Sequence, residues 1–318
     1  MLADARISKS ALFQRIGYAP HPGQVLVHRS KARFRAIAAG TRWGKSRCAA
    51  GEAVAALLEP REQMLAWLVA PTYDVCNRIY ARITGAVTTH FANRVIEADA
   101  REKKILVTNL GGGVSELRCK SSDHPASLLG EGLDVLIVDE AVQISQPVWE
   151  EHLAPRLIDR EGWALLISTP QGPGWFFDLF RRGQKNRDPE CESWSFPSSD
   201  NPHLNAAVIE AERQRLAKDV FAQQYLGEFL GVPLDPCGEC GGPQNDVPGK
   251  IEAPEGNYQN DFLRGCPSCG MFVDEDGRCI VKLHNKGYAS FWVSRHWTER
   301  GSVQMYGWYS RNGDGRWK

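Results

Sequence analysis

The chain has 318 residues, with 38 Lys+Arg balanced by 38 Asp+Glu and a hydrophobic content of 42%. That is enough apolar material for a packed core, and it excludes a mainly disordered chain. With a formal net charge of zero, any hold on a polyanion must come from local basic clusters rather than a global field. No apolar run reaches the roughly 18 residues of a membrane span, and charges interrupt residues 1–18 every few positions. The sequence therefore predicts no membrane span, no signal peptide and a cytoplasmic protein. At about 100–200 residues per domain the length suits two domains, or one with a small appendage.

Taken in chain order, short apolar or β-branched runs alternate with helical patterns through about residue 170. Strands are predicted at 34–39, 65–70, 105–108, 114–119, 135–138 and 164–168, with helices at 45–58 and 74–90 between them. This alternation predicts an α/β domain over 1–170 with a largely parallel sheet. Residues 171–231 are more polar and helical, clearest at 206–217 and 220–229, and are expected to form a linker or lid subdomain. At Val232 the composition turns to Pro, Gly and Cys, so a third segment is assigned to 232–318.

The sharpest motif is Ala39-Gly40-Thr41-Arg42-Trp43-Gly44-Lys45-Ser46, after a predicted strand and opening a predicted helix. A phosphate chain needs inward N–H groups, a helix N-terminus, a lysine for the β/γ phosphates and a hydroxyl on magnesium. Gly44, Lys45 and Ser46 supply these in order. The match is incomplete, because Ala39 stands where the first glycine is usual. The plain alternative is a glycine-containing strand–helix turn with a surface lysine. Downstream, Leu136-Ile137-Val138-Asp139-Glu140 ends a buried strand in two carboxylates. Asp139 suits magnesium, and Glu140 suits polarising an attacking water. An isolated acidic pair would be a solvated turn; the position after the phosphate loop points instead to hydrolysis. The strand ending in Ser168-Thr169-Pro170 offers two hydroxyls to sense a γ-phosphate. Upstream, Gln24 has the donor and acceptor to read an adenine edge, or is a turn residue.

In the third segment, Cys237-Gly238-Glu239-Cys240 and Cys266-Pro267-Ser268-Cys269 have the spacing of two knuckles around one zinc. With four thiolates the site is closed and structural. Cys279 is left over, and two unrelated Cys pairs are the alternative. Cations such as Lys282, Arg295 and Arg300 interleave with Trp292, Trp297 and Trp308. This pattern suits either a nucleic-acid surface or the small core of a ribbon. In the first segment the basic runs 28–35 and 181–187 suit a solvated face or phosphate contacts.

Together, the Gln24 segment, the GTRWGKS loop, the LIVDEA strand and the ISTP segment resemble the ATPase domain of a tailed-phage terminase large subunit, over roughly 18–230. The resemblance implies a RecA-like P-loop ATPase that uses ATP and magnesium, with Gln24, Gly40, Thr41, Arg42, Trp43, Gly44, Lys45, Ser46, Asp139, Ser168 and Thr169 around the nucleotide. Lys45 and Ser46 would grip triphosphate and metal, Arg42 would act near the γ-phosphate, and Glu140 would activate water. It further implies a homo-oligomeric ring that moves double-stranded DNA into a capsid in the host cytoplasm, working with a portal protein and a small terminase subunit. Arg156 and Arg160 are candidates for an arginine given to the neighbouring subunit. The family's nuclease domain is not recognisable. Residues 231–318 show no strand framework for clustered acids, so nuclease activity is not predicted. Two rivals stand beside this reading: a superfamily-2 helicase fragment, which needs a second RecA-like domain, and a zinc-ribbon DNA-binding protein that only senses nucleotide.

Overall fold

The computed structural model describes residues 7–184 and 188–231 with their side chains, and beyond them the backbone of strands between 245 and 310. The chain divides into two compact units, Met1–Val232 and Pro233–Lys318.

In the first unit, α1 (Lys9–Arg15) and α2 (Pro22–Arg29) precede β1 (Phe34–Ala39), α3 (Lys45–Leu58), β2 (Gln63–Ala70) and α4 (Tyr73–His90). Then follow β3 (Val95–Asp99), β4 (Lys104–Thr108), β5 (Val114–Ser121), β6 (Val135–Asp139) and β7 (Trp163–Ser168). The unit closes with α5 (Trp175–Arg182), β8 (Cys191–Phe196), α6 (Ala206–Arg215) and α7 (Lys218–Phe221). The eight strands form one sheet in the order β3-β4-β5-β2-β6-β7-β1-β8. From β5 to β8 every neighbour is parallel, while β3, β4 and β5 pair antiparallel.

Side-chain pattern explains this division. The strand sequences VLIVD and WALLIS are buried almost throughout, as central parallel strands covered on both faces must be. In β4 and in β5 from Ser115 to Ser121, burial alternates residue by residue, which suits the margin of the sheet. One core packs α3 and α4 onto the sheet through Cys48, Leu57, Ile79 and Ile83; the other packs α5 and residues 144–157 onto the opposite face through Trp149, Leu153, Phe176 and Phe180.

Two strands have no counterpart in the sequence pattern. β3 is largely exposed with a register shift, so its Val95-Ile96 start makes no periodic apolar pattern. In β8, CESWSF, the inward positions include Ser193, whose Oγ donates to Phe180 O at 2.6 Å. The predicted helix over 220–229 is shorter: α7 passes into a wider turn at Ala222–Leu226 that stops at Gly227, φ 74.

The basic run 28–35 is partly turned inward: His28 and Arg35 are buried, while Arg29 and Lys31 stay exposed. Glu52 on α3, 1% exposed, meets Lys9 at 2.8 Å, His28 Nδ1 at 2.7 Å and Arg35 at 2.8 Å. Arg35 also lies over the Trp163 ring at 4.3 Å. Arg33 donates to Gly162 O and Leu157 O. These contacts join α1, α2, the start of β1 and the start of β7 to α3. Burial pushes the Glu52 carboxyl up, but the His28 hydrogen bond and the Arg35 and Lys9 charges outweigh it and hold the group well below the usual carboxylate range.

The second unit carries β9 (Asn245–Glu252), β10 (Tyr258–Cys266), β11 (Met271–Val273), β12 (Cys279–Lys282), β13 (Tyr288–Trp297) and β14 (Gly301–Ser310). They form a sheet in the order β12-β11-β10-β9-β14-β13. This corrects the expectation that 231–318 lacks a strand framework. Single-sequence pattern failed there because glycines and prolines fall inside the strands, as Pro248 and Gly249 do in β9. The zinc expectation lies outside the described residues: Cys237, Cys240 and Cys269 are not among them, and Cys266 is described only as the last backbone position of β10. Among the described residues there is no cluster of three or more metal-ligating side chains, and no helix is long and apolar enough to cross a membrane.

Replacing Glu52 by Ala would strand the Arg35 charge in the interior and should cost about 3–5 kcal/mol, measured by urea unfolding at pH 7. Because the folded carboxyl titrates well below its unfolded value of about 4.3, its contribution is complete above that pH and is lost as pH falls from there through the depressed folded value. The acid limb of the stability curve should therefore be shallower in Glu52→Gln; an unchanged limb would remove Glu52 as its source.

Candidate functional site

Strand order puts the C-terminal ends of β1, β7 and β6 side by side. β1 delivers the loop 40–44, β6 delivers Asp139 and Glu140, and β7 inserts Ser168 and Thr169 between them. Lys45 opens α3 with its side chain folded back across the loop: Nζ donates to Ala39 O at 2.7 Å, Gly40 O at 3.1 Å and Thr169 Oγ1 at 3.0 Å. Burial lowers this amine to about 8, against the opposing pull of the Glu140 and Asp139 charges. Ser46 follows it in the first turn of α3.

Asp139 is 3% exposed. Burial, together with the adjacent Glu140 charge, pushes its carboxyl up to about 7, although the Glu140 N–H donates to Oδ1 at 3.1 Å and Lys45 and Arg78 lie on the favourable side. Glu140 is half-buried and has φ 50, a left-handed conformation that is costly for a residue with a side chain. Its Oε2 lies 3.3 Å from Ser168 Oγ, which also accepts from Val142 N at 3.4 Å. The two hydroxyls thus serve different groups: Ser168 touches the glutamate, Thr169 the lysine.

The loop itself is held from outside. Ser198 Oγ donates to Thr41 O at 2.6 Å and Asn201 Nδ2 to Arg42 O at 2.7 Å. His21 Nε2 meets Trp43 O at 3.0 Å and Gln24 Nε2 donates to Gly44 O at 3.1 Å. Since Trp43 O can only accept, His21 carries its proton on Nε2. In a trans peptide the C=O and the following N–H point opposite ways, so anchoring these four carbonyls aims the N–H groups of Gly44 and Lys45 away from the anchors. The glycines are demanded by space. A Cβ on Gly40 would sit 2.5 Å from Tyr225 O, and Gly44 has φ 110 with Gln24 Nε2 2.7 Å from any added Cβ. Ala39 needs no such freedom, because it is still the last residue of β1.

Several sequence-predicted residues take up positions that motif reading alone could not give. Trp43 is 0% exposed and stacks on Phe196 at 4.6 Å. Its ring is therefore a core anchor, and a contact of this residue with a nucleotide would have to come from its backbone. Gln24 is 2% exposed, donates to Gly44 O and accepts from His21 N at 3.2 Å; reading an adenine edge would require this amide to exchange partners. Thr41 and Arg42 lie toward solvent, Arg42 with φ 61. Arg160 pairs with Asp134 at 3.1 Å and Arg156 donates to Gly130 O at 2.9 Å. Both sit at the entry to β6, the end opposite Asp139. Sequence reasoning missed His21, Ser198 and Asn201, whose role depends on distant pairing. It also missed Arg78, an exposed residue of α4 whose charge reaches Asp139.

The sequence profile of the family described as terminase large subunit, T4likevirus-type, N-terminal, matches residues 36–238. The large terminase subunit of Thermus phage G20c is 39% identical over 244 residues, covering 69% of this chain and 50% of that protein. The chain thus spans about half the length of the curated relatives it matches. Among solved structures, the large terminase ATPase domain of Thermus phage P74-26 superposes with a TM-score of 0.64 at 33% identity, covering 71% of this chain and all of that one. The large terminase of a thermophilic bacteriophage in complex with ADP has a TM-score of 0.55 at 13% identity over 92% of this chain and 65% of that one, a likeness of fold. With the profile spanning more than half the sequence and a solved terminase ATPase domain 33% identical over 71% of this chain, the chain belongs to the terminase large-subunit family.

Proposed function

We propose that this chain binds ATP at the β1–β7–β6 edge and hydrolyses it to drive double-stranded DNA into a capsid. The observation that carries the reading is the pair of consecutive hydroxyls at the end of β7: Thr169 Oγ1 accepts from Lys45 Nζ at 3.0 Å, and Ser168 Oγ lies 3.3 Å from Glu140 Oε2. It joins a phosphate-binding loop to a carboxylate able to take a proton from water. Family membership supports it, as does the ATPase-domain likeness.

In this reading, triphosphate oxygens replace Ala39 O, Gly40 O and Thr169 Oγ1 around the Lys45 amine, while the Gly44 and Lys45 N–H groups cradle the phosphates. Arg42 reaches the γ-phosphate with two donors. Thr41 and Ser46 add hydroxyls, and Gln24 holds Gly44 or turns its amide to the base. Glu140 orients the water, with Ser168 fixing its carboxylate. A buried acid held up near 7 beside the lysine is short of a cation, so Asp139 and Ser46 fit magnesium, which when bound neutralises phosphate charge. Loss of the γ-phosphate lets Thr169 return to Lys45, a change the following Pro170 segment can transmit. The proposed partners are the DNA, a portal protein, a small terminase subunit and further copies in a ring, in the host cytoplasm.

For the second unit we propose one structural zinc on Cys237, Cys240, Cys266 and Cys269. Its support is strand register. Asn245 pairs with Gly265, and Cys266 pairs with Met271, with Cys269 between those two in the sequence. Asn245, five positions after Cys240 in the sequence, therefore lies beside the end of β10.

Glu140→Gln should keep nucleotide affinity and lose about 10²–10⁴ in DNA-stimulated phosphate release; equal turnover in both proteins would strip Glu140 of its role. Because the free Lys45 amine titrates at about 8 and phosphates would raise it, ATP binding above pH 8 should take up a proton. Affinity should then fall as pH rises further, read by calorimetry in buffers of differing ionisation enthalpy, and no uptake would contradict the assignment. Metal analysis should give about one zinc per chain, released by Cys237→Ser; unchanged content would reject the site.

A further inference from the structure

Arg42 is a non-glycine residue at φ 61 whose side chain lies toward solvent. Such a backbone costs of order 1–3 kcal/mol and persists only where its surroundings impose it. The contact that grips this residue's own carbonyl comes from Asn201, 159 positions away: Nδ2 donates to Arg42 O at 2.7 Å. Asn201 is itself fixed, since its Oδ1 accepts from His203 N at 3.0 Å, so the amide has one orientation. Next to it, Ser198 Oγ holds Thr41 O, and the Thr41 N–H donates to Gln224 O at 2.6 Å. The peptides on both sides of Thr41 are therefore bound to the segment after β8, and so is the carbonyl of Arg42. The φ of Arg42 sets where its Cα–Cβ bond points.

We propose that Asn201 is a positioning residue for Arg42: by holding the Arg42 carbonyl, it keeps that backbone left-handed and directs the guanidinium toward the phosphate side of the loop. This rests on the ATP-hydrolysing reading, and in particular on the role of Arg42 there. Asn201 touches no substrate. Its hydrogen bond, made to a strained peptide, confines a flexible, exposed side chain to one sector, and that restriction has value only while the guanidinium is present.

The dependence on the guanidinium makes the inference separable from a simple structural contribution. ATP turnover by the full chain is measured for the wild type, Asn201→Ala, Arg42→Ala and the double variant, with Asn201→Asp as a second probe. A carboxylate oxygen cannot donate to Arg42 O, so Asn201→Asp should match Asn201→Ala. The expected result is a loss of about tenfold in kcat for either Asn201 variant with KM for ATP little changed, and no further loss when Asn201→Ala is added to Arg42→Ala. The same fold-loss in both backgrounds would mean that Asn201 only stabilises the fold, and would overturn the proposal. So would wild-type turnover in Asn201→Ala or Asn201→Asp while Arg42→Ala is impaired. Wild-type turnover in Arg42→Ala would instead defeat the assignment of Arg42, and this inference with it; absence of turnover in the wild-type chain would defeat the ATP-hydrolysing reading itself.

Discussion

A positive charge inside the protein is the constraint around which the first unit is arranged. The Lys45 ammonium sits at the edge of the sheet, 8% exposed, where an unpaired cation would be costly. Two backbone carbonyls at the end of β1 and one hydroxyl at the end of β7 solvate it, and two carboxylates at the end of β6 balance it through space. The contacting groups are neutral, so the amine gives up its partners easily to an anion. A direct ion pair in the same place would have closed the site.

The insertion of β7 between β1 and β6 makes this possible. Without it the acidic pair would stand next to the loop and neutralise the lysine by contact. With it, consecutive residues of one strand end meet opposite sides of the site, Thr169 the amine and Ser168 the glutamate. In the proposed reading, the adjacency of these hydroxyls would carry a change at the phosphates to the carboxylate across one peptide bond. Of the four described non-glycine residues with left-handed backbones, Arg42 and Glu140 lie at this edge, while Lys103 and Glu161 stand in turns elsewhere.

Much of this frame was legible in the residues. The runs 34–39 and 45–58 coincide with β1 and α3, and 135–138 and 164–168 fall within β6 and β7, because continuous apolar stretches between turn signals have few other fates. The loop, the acid pair and the two hydroxyls follow from local spacing. The supports of the loop do not. His21, Ser198 and Asn201 are common turn and cap residues, and their targets lie up to 159 positions away, a separation that periodicity cannot see. The setting of the Trp43 ring is hidden for a related reason: its place in a phosphate motif says nothing about Phe196 arriving to stack on it. β3 and β8 escaped because edge positions ask little of a side chain.

Gly227, at φ 74, lies against the start of the loop so closely that an added Cβ would come within 2.7 Å of Phe196 O and 3.1 Å of Gly40 N. Gly40 in turn has Tyr225 O on its other side. Main chain therefore bears directly on main chain, with no rotamer between them to yield. Side chains absorb small displacements by changing torsion; bare peptide planes pass them on. At this joint the segment from 222 to 227 and the loop can move only as one stiff body, or else separate outright.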